Sequence, residues 1–225
     1  MTQLLDEIKN KRIARLCHFT KSSKLLHILQ KEDGIIANTF LDGQIEILTK
    51  NDSSRLDGKE DYICCSIQYP NTWYLNKIKN NDALFKEWVI LFIDPILLTN
   101  PETLFCHRNA ASARGANIKR GYEGFSGMFR NTVQGQRLMN RTPQMLSCCP
   151  TDDQAEVLIY KNIPRSCIKA IAVPDHKQAQ REFTRLSIIN APNIDIIVAP
   201  ELFNNSWSPK IRRGQIPGEL LYQKE

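Results

Sequence analysis

The chain has no apolar run long enough to cross a bilayer. Its longest, near Val89–Ile93 and Ile194–Ala199, fall far short of the roughly 20 residues that a spanning helix needs. Residues 1–11 carry Asp6, Glu7 and Lys9 without an apolar stretch and small-residue cleavage site. No secretory signal is therefore expected, and the sequence reads as a soluble, cytoplasmic protein. Its seven cysteines are odd in number, with neighbours at 64–65 and 148–149 and no C-x-x-C spacing. That pattern argues against a disulfide framework and a structural zinc site, and suits small buried residues in a reducing compartment. The four histidines, 18, 27, 107 and 176, show no ligand spacing with one another or with cysteine, so no metal is expected. Neither G-x-G-x-x-G nor G-x-x-x-x-G-K-[ST] occurs, which argues against a doubly wound nucleotide fold. G-x-S-x-G is missing too, and with it the signature of a serine hydrolase. No internal repeat is present.

What is there suffices for one well-buried core. A length of 225 residues, 42% of them hydrophobic, fits a single domain over 1–225. Strand-like apolar runs occur at Ile13–Phe19, Tyr62–Ile67, Trp88–Ile93, Glu156–Tyr160, Ile168–Val173 and Ile194–Val198. Helical spacing marks Leu4–Ile8, Leu25–Leu29 up to Gly34, Trp73–Ile78 and Lys177–Leu186. Strands and helices in this irregular order predict an α+β fold, a mixed sheet with flanking helices. The segment 107–150 is rich in Arg, Asn, Gly, Ser and Gln, with Phe125, Met128 and Phe129 as an apolar island, and reads as a long functional loop. The tail from Asn204 carries Pro209, Pro217 and basic side chains, and is expected to hug the surface or move.

The net charge of +6 is concentrated. Between Arg108 and Arg141 stand seven basic residues against Glu123 alone. Such an excess fits a polyanion, because cations facing phosphates release condensed counterions, although solvated loop charges would look the same.

Three polar signatures resist explanation by the hydrophobic pattern. Glu156 opens an apolar strand, where a carboxylate either faces solvent at an edge or stabilises charge beside a sugar. Arg55 lies in Asn51-Asp52-Ser53-Ser54-Arg55-Leu56-Asp57-Gly58 and could clamp phosphate, or merely pair with Asp52 or Asp57. His18 and Thr20 alternate onto one strand face, where they either fill the core or hold ribose hydroxyls or an amide.

His18-x-Thr20, the N-D-x-x-R-x-D-G segment, Ser66–Asn71, Trp88–Leu91 and Ala155-Glu156-x-Leu158-Ile159, in this order, resemble the DarT family of DNA ADP-ribosyltransferase toxins. The resemblance runs from about Ile13 to Val198. It implies an ADP-ribosyltransferase fold that cleaves NAD, its substrate, at the nicotinamide bond and passes ADP-ribose to a base of single-stranded DNA. It also implies catalysis by Arg55 and Glu156, and NAD contacts from His18, Thr20, Asn51 and Arg55. The family's substrate loop falls on the basic segment, where Arg108, Arg114, Lys119, Arg120, Tyr122 and Arg130 would hold the nucleic acid, with Phe125 and Phe129 as further stacking surfaces. A separate antitoxin that reverses the modification is the implied partner. Lys24 stands where family members often carry Asn, and segment 107–150 is closer to the guanine-modifying branch than to the thymidine-modifying one. An RNA or protein acceptor, or an inert nucleic-acid-binding module with Glu156 and Arg55 as a structural ion pair, are the competing expectations.

Overall fold

The computed structural model describes residues 2–41, 56–81, 86–135, 137–188 and 194–224. Helix α1 (Thr2–Asn10) leads to strand β1 (Leu16–Lys21), helix α2 (Leu25–Gln30), the short β2 (Ile35–Ile36), β3 (Tyr62–Ile67), α3 (Thr72–Asn81) and β4 (Trp88–Ile93). Then come β5 (Leu104–Cys106), β6 (Ile118–Arg120), α4 (Gly121–Gly127), β7 (Thr132–Gln134), β8 (Leu138–Asn140) and β9 (Glu156–Tyr160). The chain continues through β10 (Asn162–Ile163), β11 (Ile168–Val173), α5 (His176–Ile188), β12 (Asp195–Val198), α6 (Trp207–Ile211) and β13 (Leu220–Leu221).

Nine strands form one mixed sheet in the order β13-β12-β11-β4-β1-β3-β9-β5-β6. Its pairs are antiparallel except β11 and β12, which run parallel because helix α5 carries the chain back across the sheet. The centre is apolar on both sides. All six residues of β4 are buried. Its period-2 alternation sends Val89, Leu91 and Ile93 into one core, and Trp88, Ile90 and Phe92 into another. The first core gathers α1, α2, α4 and α5; the second takes Tyr69, Leu202, Trp207 and Ile211. The expected mixed sheet with flanking helices is thus observed.

Two expectations are corrected. The segment 107–150 is not one long loop: it supplies β6, helix α4 and the hairpin β7–β8. Its apolar island is core, with Phe125 and Met128 fully buried and Phe129 packed against Phe125, so neither phenylalanine is a stacking surface for bases. The tail is anchored as well. Trp207 and Ile211, one helical turn apart on α6, are buried, and β13 pairs with β12. No helix among the described residues is long and apolar enough to cross a membrane.

Candidate active site

The sheet is split beside its centre. Strand β1 pairs with β4 through six residues, but with β3 only at Leu16↔Ile67 and Cys17↔Ser66. Beyond Cys17 the two strands part, and the gap becomes a site. His18 bridges its start, with Nδ1 at 2.8 Å from the Cys64 carbonyl. A carbonyl only accepts, so Nδ1 carries the proton and Nε2 is left as an acceptor. Burial pushes this imidazole down to about 4, the Cys64 carbonyl opposing and Lys24 adding to the fall.

The ring is therefore expected to stay neutral through the physiological range. Its folded pKa lies below the ordinary 6.5, so the unfolded chain takes up the proton first. The stability tied to the neutral ring is complete above pH 6.5 and is lost as pH falls through about 4. An NMR titration of the His18 ring checks this, and a midpoint near the ordinary value would contradict it.

The gap opens into a cavity of about 590 Å³, a size that takes a nucleotide-like ligand. It is lined by His18, Thr20 and Lys24 from β1 and the turn after it, by Ser66, Asn71 and Tyr74 from β3 and the start of α3, and by Arg108, Asn109, Asp152, Gln154 and Glu156 from the loops after β5 and before β9 and from the start of β9. Asn71 sits there because it starts helix α3: its Oδ1 accepts the Tyr74 backbone N–H at 3.1 Å, and its own N–H reaches Ser66 Oγ. Lys24 keeps a cationic head in the cavity wall, lowered to about 8 by burial and then by Lys21.

Glu156 opens β9, opposite Cys106 of β5, and is only 8% exposed. Both carboxylate oxygens are held by the loop that follows β5. Asn109 donates from Nδ2 to Oε1 at 3.1 Å, and the Ala110 backbone N–H donates to Oε2 at 2.9 Å. Asn109 is itself oriented, since its Oδ1 accepts the Ala111 N–H. The loop continues through left-handed Ala113 and Arg114 to Gly115, where a Cβ would lie 2.7 Å from the Asp57 carbonyl. Only glycine allows that approach at positive φ.

Three side chains of the cavity wall hold buried nitrogens without a partner among the described residues: Asn71 Nδ2, Arg108 Nε and His27 Nε2. Buried polar groups of this kind are met by water, an ion or a ligand. These fit carbonyl, hydroxyl or phosphate oxygens of a nucleotide. Among the described residues no group of three or more His, Cys, Asp or Glu is gathered as a metal would require.

Of the residues singled out from sequence, His18, Thr20, Arg108 and Glu156 surround this one cavity. Arg114, Lys119, Arg120, Tyr122 and Arg130 do not line it and stand on the surface, with Lys119 paired to Glu123. Asn51 and Arg55 lie outside the described residues. Sequence reasoning missed Asn109, Asp152 and Gln154. The two acidic residues Asp152 and Asp153 shortly before Glu156 were the available signal for the second.

The fold resembles solved structures. Thermus sp. 2.9 DarT in complex with NAD+ is 17% identical, with 85% of this chain and 98% of that one covered and a TM-score of 0.57. The same protein in complex with ADP-ribosylated ssDNA is 16% identical over 86% and 97%, at 0.59. Thermosipho africanus DarTG in complex with ADP-ribose is 18% identical at 0.50, covering 84% of this chain but only 51% of that one, so the present chain spans about half of its length. No sequence among curated proteins matches. The family described as ssDNA thymidine ADP-ribosyltransferase, DarT, matches residues 17–204, and this chain, with a carboxylate held in a split-sheet cavity, belongs to that family.

Proposed function

We propose that this chain, acting as a single domain in the cytoplasm, transfers ADP-ribose from NAD to a base of single-stranded DNA, and is the toxin of a toxin–antitoxin pair. The observation that carries the reading is the buried Glu156 carboxylate, fixed by two donors, in one cavity with His18 and Thr20. The family match and the structural neighbours bound to NAD+ and to ADP-ribosylated ssDNA support it. His18 and Thr20 hold the nicotinamide-ribose side. Arg55 and Asn51 are assigned to the cofactor from sequence, Arg55 as the phosphate clamp. The C1′–nitrogen bond to nicotinamide breaks with its electron pair going to the pyridinium ring, which leaves neutral. Glu156 stabilises the positive charge that grows on the ribose. A base nitrogen forms the new bond to C1′ and releases its proton to a carboxylate or to water.

Unstacked bases suit a cavity of this kind, which explains single strands as substrate. Arg114, Lys119, Arg120, Tyr122 and Arg130, all exposed, are assigned to track the strand outside the cavity. The family is described by thymidine transfer; the resemblance of segment 107–150 to the guanine-modifying branch is the ground for proposing guanine beside thymine as the acceptor. A protein that removes the modification is the expected antitoxin.

Labelled NAD with matched DNA and RNA oligonucleotides, each read by mass spectrometry, tests the reading. A gain of one ADP-ribose on guanine or thymine of the DNA is expected. Label on RNA alone, or no release of nicotinamide, would overturn it.

A further inference from the structure

The cavity has an acceptor end that the assigned residues do not account for. Glu156 shares this cavity with His18 and Thr20, assigned above to the nicotinamide side, and with Arg108, Asp152 and Gln154. Displacement requires the incoming base opposite the departing nicotinamide, which leaves Arg108, Asp152 and Gln154 to meet it. Glu156 is assigned to the ribosyl cation, and one acceptor site on each of its oxygens is already taken by Asn109 and Ala110. Asp152 can serve the base. It is 6% exposed and lines the cavity. Its Oδ1 is fixed by the Gln154 backbone N–H at 2.9 Å, and no described residue donates to its Oδ2. Arg108 is the complementary group. Its Nη1 is tied to the Gln134 carbonyl at 3.2 Å, and its buried Nε has no partner among the described residues.

From this pairing we infer that Asp152 and Arg108 read the acceptor base by its lactam edge, the carboxylate accepting a ring N–H and Arg108 donating to the adjacent carbonyl. Guanine and thymine both present that edge, and in thymine, where the nitrogen read is the one that bonds to C1′, Asp152 takes its proton as the bond forms; adenine and cytosine present a bare ring nitrogen beside an amino group. The inference rests on the base-transfer reading above and narrows its substrate class. Gly135 supports the arrangement: a Cβ there would stand 2.3 Å from Asp152 Oδ2, so the hairpin turn closes on the carboxylate only because this residue is glycine. Burial, and then Asp153, raise the Asp152 carboxyl above its ordinary value, while the Gln154 N–H, Arg212 and Arg108 oppose the rise and favour the charged form that accepts an N–H.

The experiment measures two products from the same NAD, ADP-ribosylated oligonucleotide and free ADP-ribose, for DNA strands that differ at one test base. Asp152→Asn keeps the oxygen that Gln154 needs and turns an N–H toward the base. The ratio of base transfer to hydrolysis is expected to fall about tenfold or more on guanine and thymine, the range for losing a hydrogen bond to a charged group. Gly135→Ala, which displaces the carboxylate without removing it, is expected to lower the ratio in the same direction, with thermal melts confirming that both variants fold. An unchanged ratio in Asp152→Asn, or equal losses of both products, would overturn the inference. A wild-type chain that releases nicotinamide but marks no base would overturn the DNA reading itself and this inference with it.

Discussion

Replacing Glu156 by glutamine is expected to cut nicotinamide release by about a hundredfold to a thousandfold, the range for removing an electrostatic stabiliser of a transition state. The carboxylate is buried, and its two oxygens accept hydrogen bonds from Asn109 Nδ2 and from the Ala110 N–H. Glutamine offers one oxygen and one NH2 group. In either orientation it turns an N–H toward one of these donors, and Asn109 cannot flip to compensate without losing its bond from Ala111. The mismatch should cost about 1–3 kcal/mol of stability. For a chain of this size that lowers the melting temperature by several degrees and leaves a folded protein. NAD binding, read by calorimetry, is expected to persist while nicotinamide release disappears. A non-enzymatic nucleic-acid-binding module predicts the opposite pattern: no nicotinamide release from the wild type, and no change beyond stability in the variant.

How much of this was legible in the sequence follows from which forces act locally. The strands around Ile63, Ile90, Leu158 and Ile171 are dense in β-branched and aliphatic residues because both faces of the central sheet are covered, and such runs are visible without coordinates. Strands β5 and β6 have three residues each, too few for a period, and β6 is an edge strand whose Lys119 and Arg120 read as loop charge. The hairpin β7–β8 stands outside the main sheet with mostly exposed side chains, so no hydrophobic alternation betrays it. In the tail, Trp207 and Ile211 flank Pro209 and Lys210, and proline and charge obscured a buried helical pair. The site divides the same way. His18, Thr20 and Glu156 stood out as polar residues inside apolar strands. Asn109 did not, because its role comes from the register that sets Cys106 opposite Glu156, a pairing between residues 50 apart in sequence. The cavity itself arises from where β1 stops pairing with β3, which no local pattern encodes.

The second large effect is expected at Asn109, and it separates a positioning residue from a merely structural one. Asn109→Asp keeps the shape and replaces a donor by a carboxylate at the same 3.1 Å from Glu156 Oε1. Two carboxylates this close cannot both ionise at their ordinary pKa values, so one member of the pair retains a proton at neutral pH. The shared proton engages Glu156 Oε1 and moves part of the single negative charge onto the carboxylate introduced at position 109, away from the growing ribosyl cation. Nicotinamide release should fall by about a hundredfold near pH 7, most of it in kcat, since the loss concerns charge that matters in the transition state. The sign with pH then follows. The proton leaves as pH rises through the elevated pKa, so the deficit of Asn109→Asp relative to wild type should shrink as the medium becomes alkaline. Asn109→Ala adds no charge and loses one donor, and should show a deficit of about tenfold that does not vary with pH. Parallel pH–rate profiles for wild type and Asn109→Asp, displaced by a constant factor, would mean that Asn109 supports the loop alone and that Glu156 takes its orientation from the Ala110 backbone.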